Sequence, residues 1–151
     1  MRARALLGVL AVVLGGVACS APGPAKLDTR SDACSWCRMA VSDQRFAAQL
    51  VAPADDPRFF DDIGCLASYL RAKRDLPKGA RVYVADHRTQ AWVEAGAAVY
   101  SKVETIETPM GSHLVAYADA ASRRADSEAT GGVSLSTVDV FGRSLPAGRT
   151  K

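Results

Sequence analysis

Short stretches in which apolar and polar residues alternate are separated by two longer stretches with apolar residues at helical spacing. Alternation is typical of half-buried strands, and apolar positions at i, i+3 and i+4 are typical of amphipathic helices. The order strand, strand, helix, strand occurs twice. The pattern predicts an α+β fold of two small related ββαβ units, over residues 34–89 and 90–141. The predicted strands are 46–51, 58–61, 81–85, 90–94, 99–105, 114–118 and 133–138, and the predicted helices are 64–74 and 120–129.

The start of the chain has the pattern of an exported lipoprotein. Arg2 and Arg4 precede a short apolar run that ends in small residues, which predicts a signal peptide over residues 1–18. Cys19 follows directly, in a context that resembles the lipobox of bacterial lipoproteins, and Ser20 resembles the residue found in lipoproteins sent to the outer membrane. We therefore expect a lipid on Cys19, and a protein that faces the periplasm of a Gram-negative bacterium.

Two further segments lack apolar periodicity. Residues 19–33 are rich in proline, alanine and glycine, and they predict a flexible linker between the lipid anchor and the folded units. Residues 142–151 have little apolar character and predict a disordered tail.

Composition limits the function. A chain of 151 residues can bury one ordinary core. Once Arg2 and Arg4 are removed with the signal peptide, basic and acidic side chains nearly balance. Because binding to nucleic acid requires a concentrated basic face, we expect no nucleic-acid partner.

The segment CSWCRM at residues 34–39 places three sulfur atoms within six residues. Soft thiolate and thioether ligands select Cu(I), so Cys34, Cys37 and Met39 predict a copper(I) site. A disulfide between the two cysteines is the alternative in an oxidising compartment. Zinc is less favoured, because a structural zinc site needs four ligands and the sequence offers few others at zinc-finger spacing.

A second segment, TPMGSH at residues 108–113, presents Met110 between a proline and a glycine, which predicts a turn that exposes the thioether. His113 can add an imidazole nitrogen. Cys65 lies in the first turn of the predicted helix 64–74, either as a small buried residue or as a third thiol near the site. Of the adjacent acids Asp61 and Asp62, we expect one to cap this helix.

These motifs together resemble the NosL family of lipoprotein copper chaperones that serve nitrous-oxide reductase. The resemblance rests on four segments in the family's order, and each motif alone is weak. The segments are CSWCRM with the following SD and FAAQ, FDDIGCL, VAD with WVEA, and TPMGS.

The resemblance implies a non-enzymatic protein that binds one Cu(I) and delivers it to the copper–sulfide cluster of nitrous-oxide reductase, together with that enzyme's maturation machinery. It also implies a fold similar to that of the organomercurial lyase MerB. Some family members occur outside denitrification, so the client can also be another cuproprotein. We expect a monomer or a weak homodimer.

The sequence is compatible with two functional hypotheses. In the first, a metallochaperone binds Cu(I), and the candidate ligands are ranked: Cys37 and Met110 come first, Met39 and Cys34 second, and His113 and Cys65 last. In the second, a thiol enzyme uses Cys34, Cys37 and Cys65, as a disulfide reductant or a MerB-like lyase. Only the first hypothesis requires the methionines.

Overall fold

The structure is a computed structural model that describes residues 22–147. The predicted signal peptide and Cys19 lie outside the described residues. The first sheet is antiparallel, with the strand order β2-β1-β3-β4. Its strands are β1 (Ala48–Ala52), β2 (Asp55–Phe60), β3 (Arg81–Ala85) and β4 (Trp92–Glu94), and helix α1 (Ile63–Ala72) connects β2 to β3.

The second sheet is also antiparallel and has the order β6-β5-β7. Its strands are β5 (Val99–Lys102), β6 (Leu114–Tyr117) and β7 (Val133–Leu135), with helix α2 (Ala120–Ala125) and a 3-10 helix (Ser127–Ala129) between β6 and β7. Both units contain the order strand, strand, helix, strand, and the first unit has β4 as an additional strand. The predicted α+β class is confirmed. The predicted boundary after residue 89 is wrong, because β4 pairs with β3 and belongs to the first sheet.

The larger of two hydrophobic clusters among residues 22–147 extends through both units. Leu50 of β1 and Leu66 and Leu70 of α1 are fully buried in it. From the second unit, Tyr100 packs edge to face against Phe141, with ring centroids 5.5 Å apart. The two sheets are further joined where the amide of His87 donates to the carbonyl of Ala116 at 2.8 Å.

The second unit ends differently from the prediction. The predicted strand 133–138 stops at Leu135, and helix α3 (Thr137–Phe141) follows. Ser136 and Asp139 form a reciprocal capping box at its start, which satisfies the first free amides of the helix. The predicted helix 120–129 is also divided, because Asp126 ends α2 and caps the following 3-10 helix.

The tail prediction is wrong for residues 142–147. Leu145 is buried, and Arg143 donates to the carbonyl oxygens of Leu70 and Lys73 at 2.6 and 2.8 Å. A guanidinium at this place satisfies free carbonyls at the end of α1. Helix α1 itself ends at Ala72, two residues before the predicted position.

Residues 22–33 were expected to form part of a flexible linker, and the structure instead places them against the first sheet. The buried amide side chain of Gln49 accepts from the amide of Ala25 at 2.7 Å and donates to its carbonyl at 3.2 Å. The hydroxyl of Tyr83 donates to the carbonyl of Pro22 at 2.7 Å. Gln49 and Tyr83 are register partners in β1 and β3, so one row of the sheet holds this segment. Within residues 22–147, no helix has the length and apolar character needed to cross a bilayer.

Candidate metal site

The first two cysteines lie on a tight loop that is attached to the edge of the first sheet. The loop closes where the amide of Cys34 donates to the carbonyl of Met39 at 2.7 Å and the amide of Arg38 donates to the carbonyl of Cys34 at 3.1 Å. Arg38 adopts a positive φ of 70°, which allows the chain to turn back. The amide of Ser35 donates to the carbonyl of Phe59 at 2.8 Å, so the loop is fixed to β2.

The junction between β2 and α1 supplies two more ligand groups. Asp61 follows the last residue of β2, and Cys65 is in the first turn of α1, four residues later. Asp62 between them has extended backbone, and its carboxylate accepts from the amide of Gly64, so it is the N-cap of the helix. The expectation that one of the two acids caps the helix is therefore met by Asp62.

The loop and the junction bring three thiols and a carboxylate together. The ligand atoms of Cys34, Cys37, Asp61 and Cys65 all lie within 4.8 Å of one another. The thiol of Cys37 donates to both carboxylate oxygens of Asp61, at 3.3 and 3.4 Å. All three cysteines are free thiols. A group of this composition can hold one soft metal ion.

The site has one open side. Cys34 and Cys65 are 0% and 3% exposed and Asp61 is 1% exposed, whereas Cys37 is only partly buried. A ligand from another molecule can therefore reach the site next to Cys37, while the other three groups are protected.

Burial also controls the protonation of the thiols. Loss of solvent raises the pKa of Cys65, and hydrogen bonding to Asp61 raises it further. Burial is likewise the main cause of the raised pKa of Cys37. Because the thiolate is both the metal ligand and the nucleophile, these thiols are protonated and weakly reactive at neutral pH until a metal replaces the proton.

The second predicted segment is attached to the same junction by Asp62. The buried carboxylate of Asp62 accepts from the hydroxyl of Thr108 at 2.7 Å and from the amide of Met110 at 3.0 Å. Gly64 allows this close approach, because a Cβ added there would lie 2.8 Å from the Cβ of Ser112. The loop with Met110 is thus anchored at the residue that follows Asp61 in the chain.

The other predicted ligands differ in their placement. Met39 adjoins the cluster through its backbone, and the side chains of Met39 and Met110 are 53% and 47% exposed. The ring of His113 contacts other groups. Its Nδ1 lies 2.9 Å from the carbonyl oxygen of Ile106, and its Nε2 lies 4.0 Å from a carboxylate oxygen of Glu104. Among residues 22–147, the converging group of cysteine, histidine and acidic side chains does not include His113.

Asp61 is the member of the group that sequence reasoning missed as a ligand. Adjacent residues of an extended segment point to opposite sides, and the two acids do so here: Asp61 faces the thiols and Asp62 faces the loop with Met110. The signal was the spacing between Asp61 and Cys65 across the start of a helix. This spacing alone does not identify Asp61 as a ligand, because the sequence does not show that the loop with Cys34 and Cys37 lies beside the junction between β2 and α1.

Fold and site define a class: an α+β domain with two small antiparallel sheets, in which cysteine thiols and a carboxylate can bind a metal ion. The family model described as NosL matches residues 24–144. The chain belongs to the NosL family, a family associated with copper. A comparison with curated proteins finds no significant match.

Proposed function

We propose that this protein is a membrane-anchored periplasmic chaperone that carries Cu(I) as cargo and delivers it to nitrous-oxide reductase during assembly of the copper–sulfide cluster. The observation that carries the proposal is the convergence of Cys34, Cys37 and Cys65 with Asp61, with all ligand atoms within 4.8 Å. Thiolates favour Cu(I) over harder ions, and exposed thioethers on two neighbouring segments add ligands of the same preference.

The partly exposed Cys37 supports delivery rather than permanent storage. A partner's ligand can approach on this side and form a shared intermediate before the buried Cys34 and Cys65 release the ion. Met39 and Met110 can hold the ion at the surface during this exchange, since thioethers lose no proton when they bind a metal.

The raised thiol pKa values favour a chaperone over the thiol-enzyme alternative. An enzyme nucleophile needs a lowered pKa, so that the thiolate is present at neutral pH. Burial has the opposite effect on Cys37 and Cys65. A metal ion can still displace these protons, because binding of the metal compensates for the cost of deprotonation.

The test is a Cu(I) titration of the purified protein in competition with a Cu(I) chelator, with Zn²⁺ titrated in parallel because three sulfurs and a carboxylate also have the donor number of a zinc site. We expect about one Cu(I) per chain, in keeping with one group of thiols. X-ray absorption spectroscopy of the loaded protein then counts sulfur and nitrogen neighbours. A preference for Zn²⁺ over Cu(I) would contradict the proposal.

Variants assign the ligands. Cys37→Ser with Met110→Ala should weaken Cu(I) binding strongly, and unchanged affinity would show that the site is elsewhere. Met39→Leu and Met110→Leu separate the two hypotheses, because a thiol enzyme would keep its activity in both. His113→Ala is the matched control for Met110→Ala on the same loop, since the ring of His113 already has the carbonyl of Ile106 as its partner.

The cellular part of the proposal is tested separately. Acylation of Cys19 predicts incorporation of labelled fatty acid that Cys19→Ser abolishes, and membrane fractionation tests placement in the outer membrane. Deletion of the gene should yield nitrous-oxide reductase that lacks copper at its copper–sulfide cluster. A fully loaded reductase in the deletion strain would point to a different cuproprotein as the client.

A further inference from the structure

A cleft opens beside the loop that carries Cys37. It has a volume of about 470 Å³ and is lined by Ser35, Trp36, Arg38, Arg58, Tyr69 and Lys73. Trp36 and Arg38 are the residues on either side of Cys37. A molecule that enters this cleft therefore contacts both chain neighbours of Cys37, the partly exposed thiol of the metal site.

The charged side chains that line the cleft have one sign. Its lining contains three basic side chains and no acidic one. Arg58 has an exposed ion pair with Asp55 at 3.4 Å, at the margin of the cleft. Arg38 and Lys73 are exposed and, among residues 22–147, their side chains have no ion-pair partner. Arg143 adds a further positive charge at the end of α1, where its guanidinium binds the carbonyl of Lys73.

The aromatic residues give the cleft a second property. Trp36 is 46% exposed, which is unusual for the largest apolar side chain, and Tyr69 forms part of the same wall. Exposed tryptophan together with arginine is the composition of protein contact sites, where aromatic side chains and arginine contribute much of the binding energy.

From these observations we propose that the cleft docks an acidic segment of the protein that receives the metal, so that carboxylates bind Arg38 and Lys73 while the acceptor's ligands reach Cys37. The inference rests on the proposed function for its role in transfer, but the docking itself requires no metal. A protein segment is favoured over an anionic lipid surface because the cleft is concave and is lined by the two residues that flank Cys37 in the chain.

The docking is measured first without metal. Replacement of Trp92 by Phe leaves Trp36 as the single tryptophan, so its fluorescence reports on the cleft. Titration with a hexaglutamate peptide should change the Trp36 emission, and added salt should weaken binding because exposed charges are screened. Hexalysine should produce no change.

Charge reversal tests the assignment of the residues. Arg38→Glu with Lys73→Glu should weaken hexaglutamate binding by about tenfold or more, as expected for loss of complementary charge at a contact site. The matched control is Lys78→Glu with Arg124→Glu, two exposed residues outside the cleft that give the same change in net charge. Equal weakening in both double variants, or salt-independent binding, would overturn the proposal.

The transfer step is measured with two acceptor peptides that carry the same methionine ligands, one flanked by glutamate and the other by glutamine. Loaded protein should transfer Cu(I) faster to the glutamate peptide at low salt. Lys73→Glu, a change outside the loop that carries Cys34 and Cys37, should reduce this advantage without changing Cu(I) affinity. Equal transfer rates to both peptides would overturn the role in delivery. Failure of the protein to bind Cu(I) would instead refute the proposed function, while hexaglutamate binding could still be observed.

Vesicles of phosphatidylglycerol test the lipid alternative. We expect them to bind the variant Arg38→Glu with Lys73→Glu as well as they bind the parent protein. If vesicle binding depends on Arg38 and Lys73 while hexaglutamate does not bind, the cleft recognises lipid and the proposal is wrong.

Discussion

Substitution of Asp62 by alanine tests whether one carboxylate holds the two halves of the site together. In the structure this buried group caps α1 and also accepts from the hydroxyl of Thr108 and the amide of Met110. Loss of an N-cap costs about 1 kcal/mol. Two further hydrogen-bond donors lose a buried acceptor, at about 1 kcal/mol each. We therefore expect Asp62→Ala to lower the free energy of unfolding by about 3 kcal/mol.

Urea unfolding followed by circular dichroism measures this change. The matched control is Asp119→Ala, because Asp119 caps α2 through the amide of Ser122 and, within residues 22–147, its carboxylate makes no hydrogen bond to a second segment. The control should lose about 1 kcal/mol, the value of a cap alone. Asp62→Asn keeps an acceptor oxygen, so its loss in the free energy of unfolding should lie between those of Asp62→Ala and Asp119→Ala. If Asp62→Ala costs no more than Asp119→Ala, Asp62 acts only as a helix cap.

The same variant carries a prediction about metal binding. Asp62 is not among the converging ligands, and its removal leaves the Cys34, Cys37, Cys65 and Asp61 side chains present. If Met110 binds Cu(I), releasing its loop should reduce Cu(I) affinity by about tenfold, or about 1.4 kcal/mol. Unchanged affinity in a folded Asp62→Ala protein would show that Met110 does not contribute.

Four other predictions rest on the raised thiol pKa values and on two sets of hydrogen bonds. Because burial raises the pKa of Cys37 and Cys65, Cu(I) has to displace their protons when it binds. Its apparent affinity, measured by chelator competition, should therefore rise from about pH 6 to about pH 8. A pH-independent affinity would exclude both thiols as ligands. The same shifts should make the apoprotein less stable as the pH rises above the ordinary thiol pKa of 9.0, measured by urea unfolding. A variant with serine at both positions should show a weaker dependence, and the part that remains is expected from Tyr100 and Tyr117, whose pKa values burial also raises. Gln49→Ala should lower the free energy of unfolding by about 2 kcal/mol and speed proteolysis of residues 22–33, because both backbone groups of Ala25 lose their partner. Proteolysis at the same rate as in the parent protein would contradict this contact. Arg143→Met should lower unfolding free energy by about 1 kcal/mol through loss of the bonds to the end of α1, and no change would show that the tail contributes nothing.

Much of the fold could be predicted from the sequence because periodicity is a local property. Strand β3 has the predicted ends, and α1 starts one residue before the predicted position. Errors occurred where a local signal was ambiguous. Strand β2 begins at Asp55, three residues before the predicted strand 58–61, since Pro57 is tolerated in an edge strand. Helix α3 was missed because its capping box follows directly after an alternating segment.

The sequence by itself determined which chemistry is available: three cysteines and two methionines in short motifs that favour a soft metal ion. Tertiary structure decided which of these groups meet. The pairing of the loop at Cys34 with Phe59 brings two thiols to Asp61 and Cys65, and the ring of His113 is turned to Ile106 and Glu104. Such contacts join residues far apart in the chain, and they depend on the shared packing of both units, which no local pattern of residues encodes.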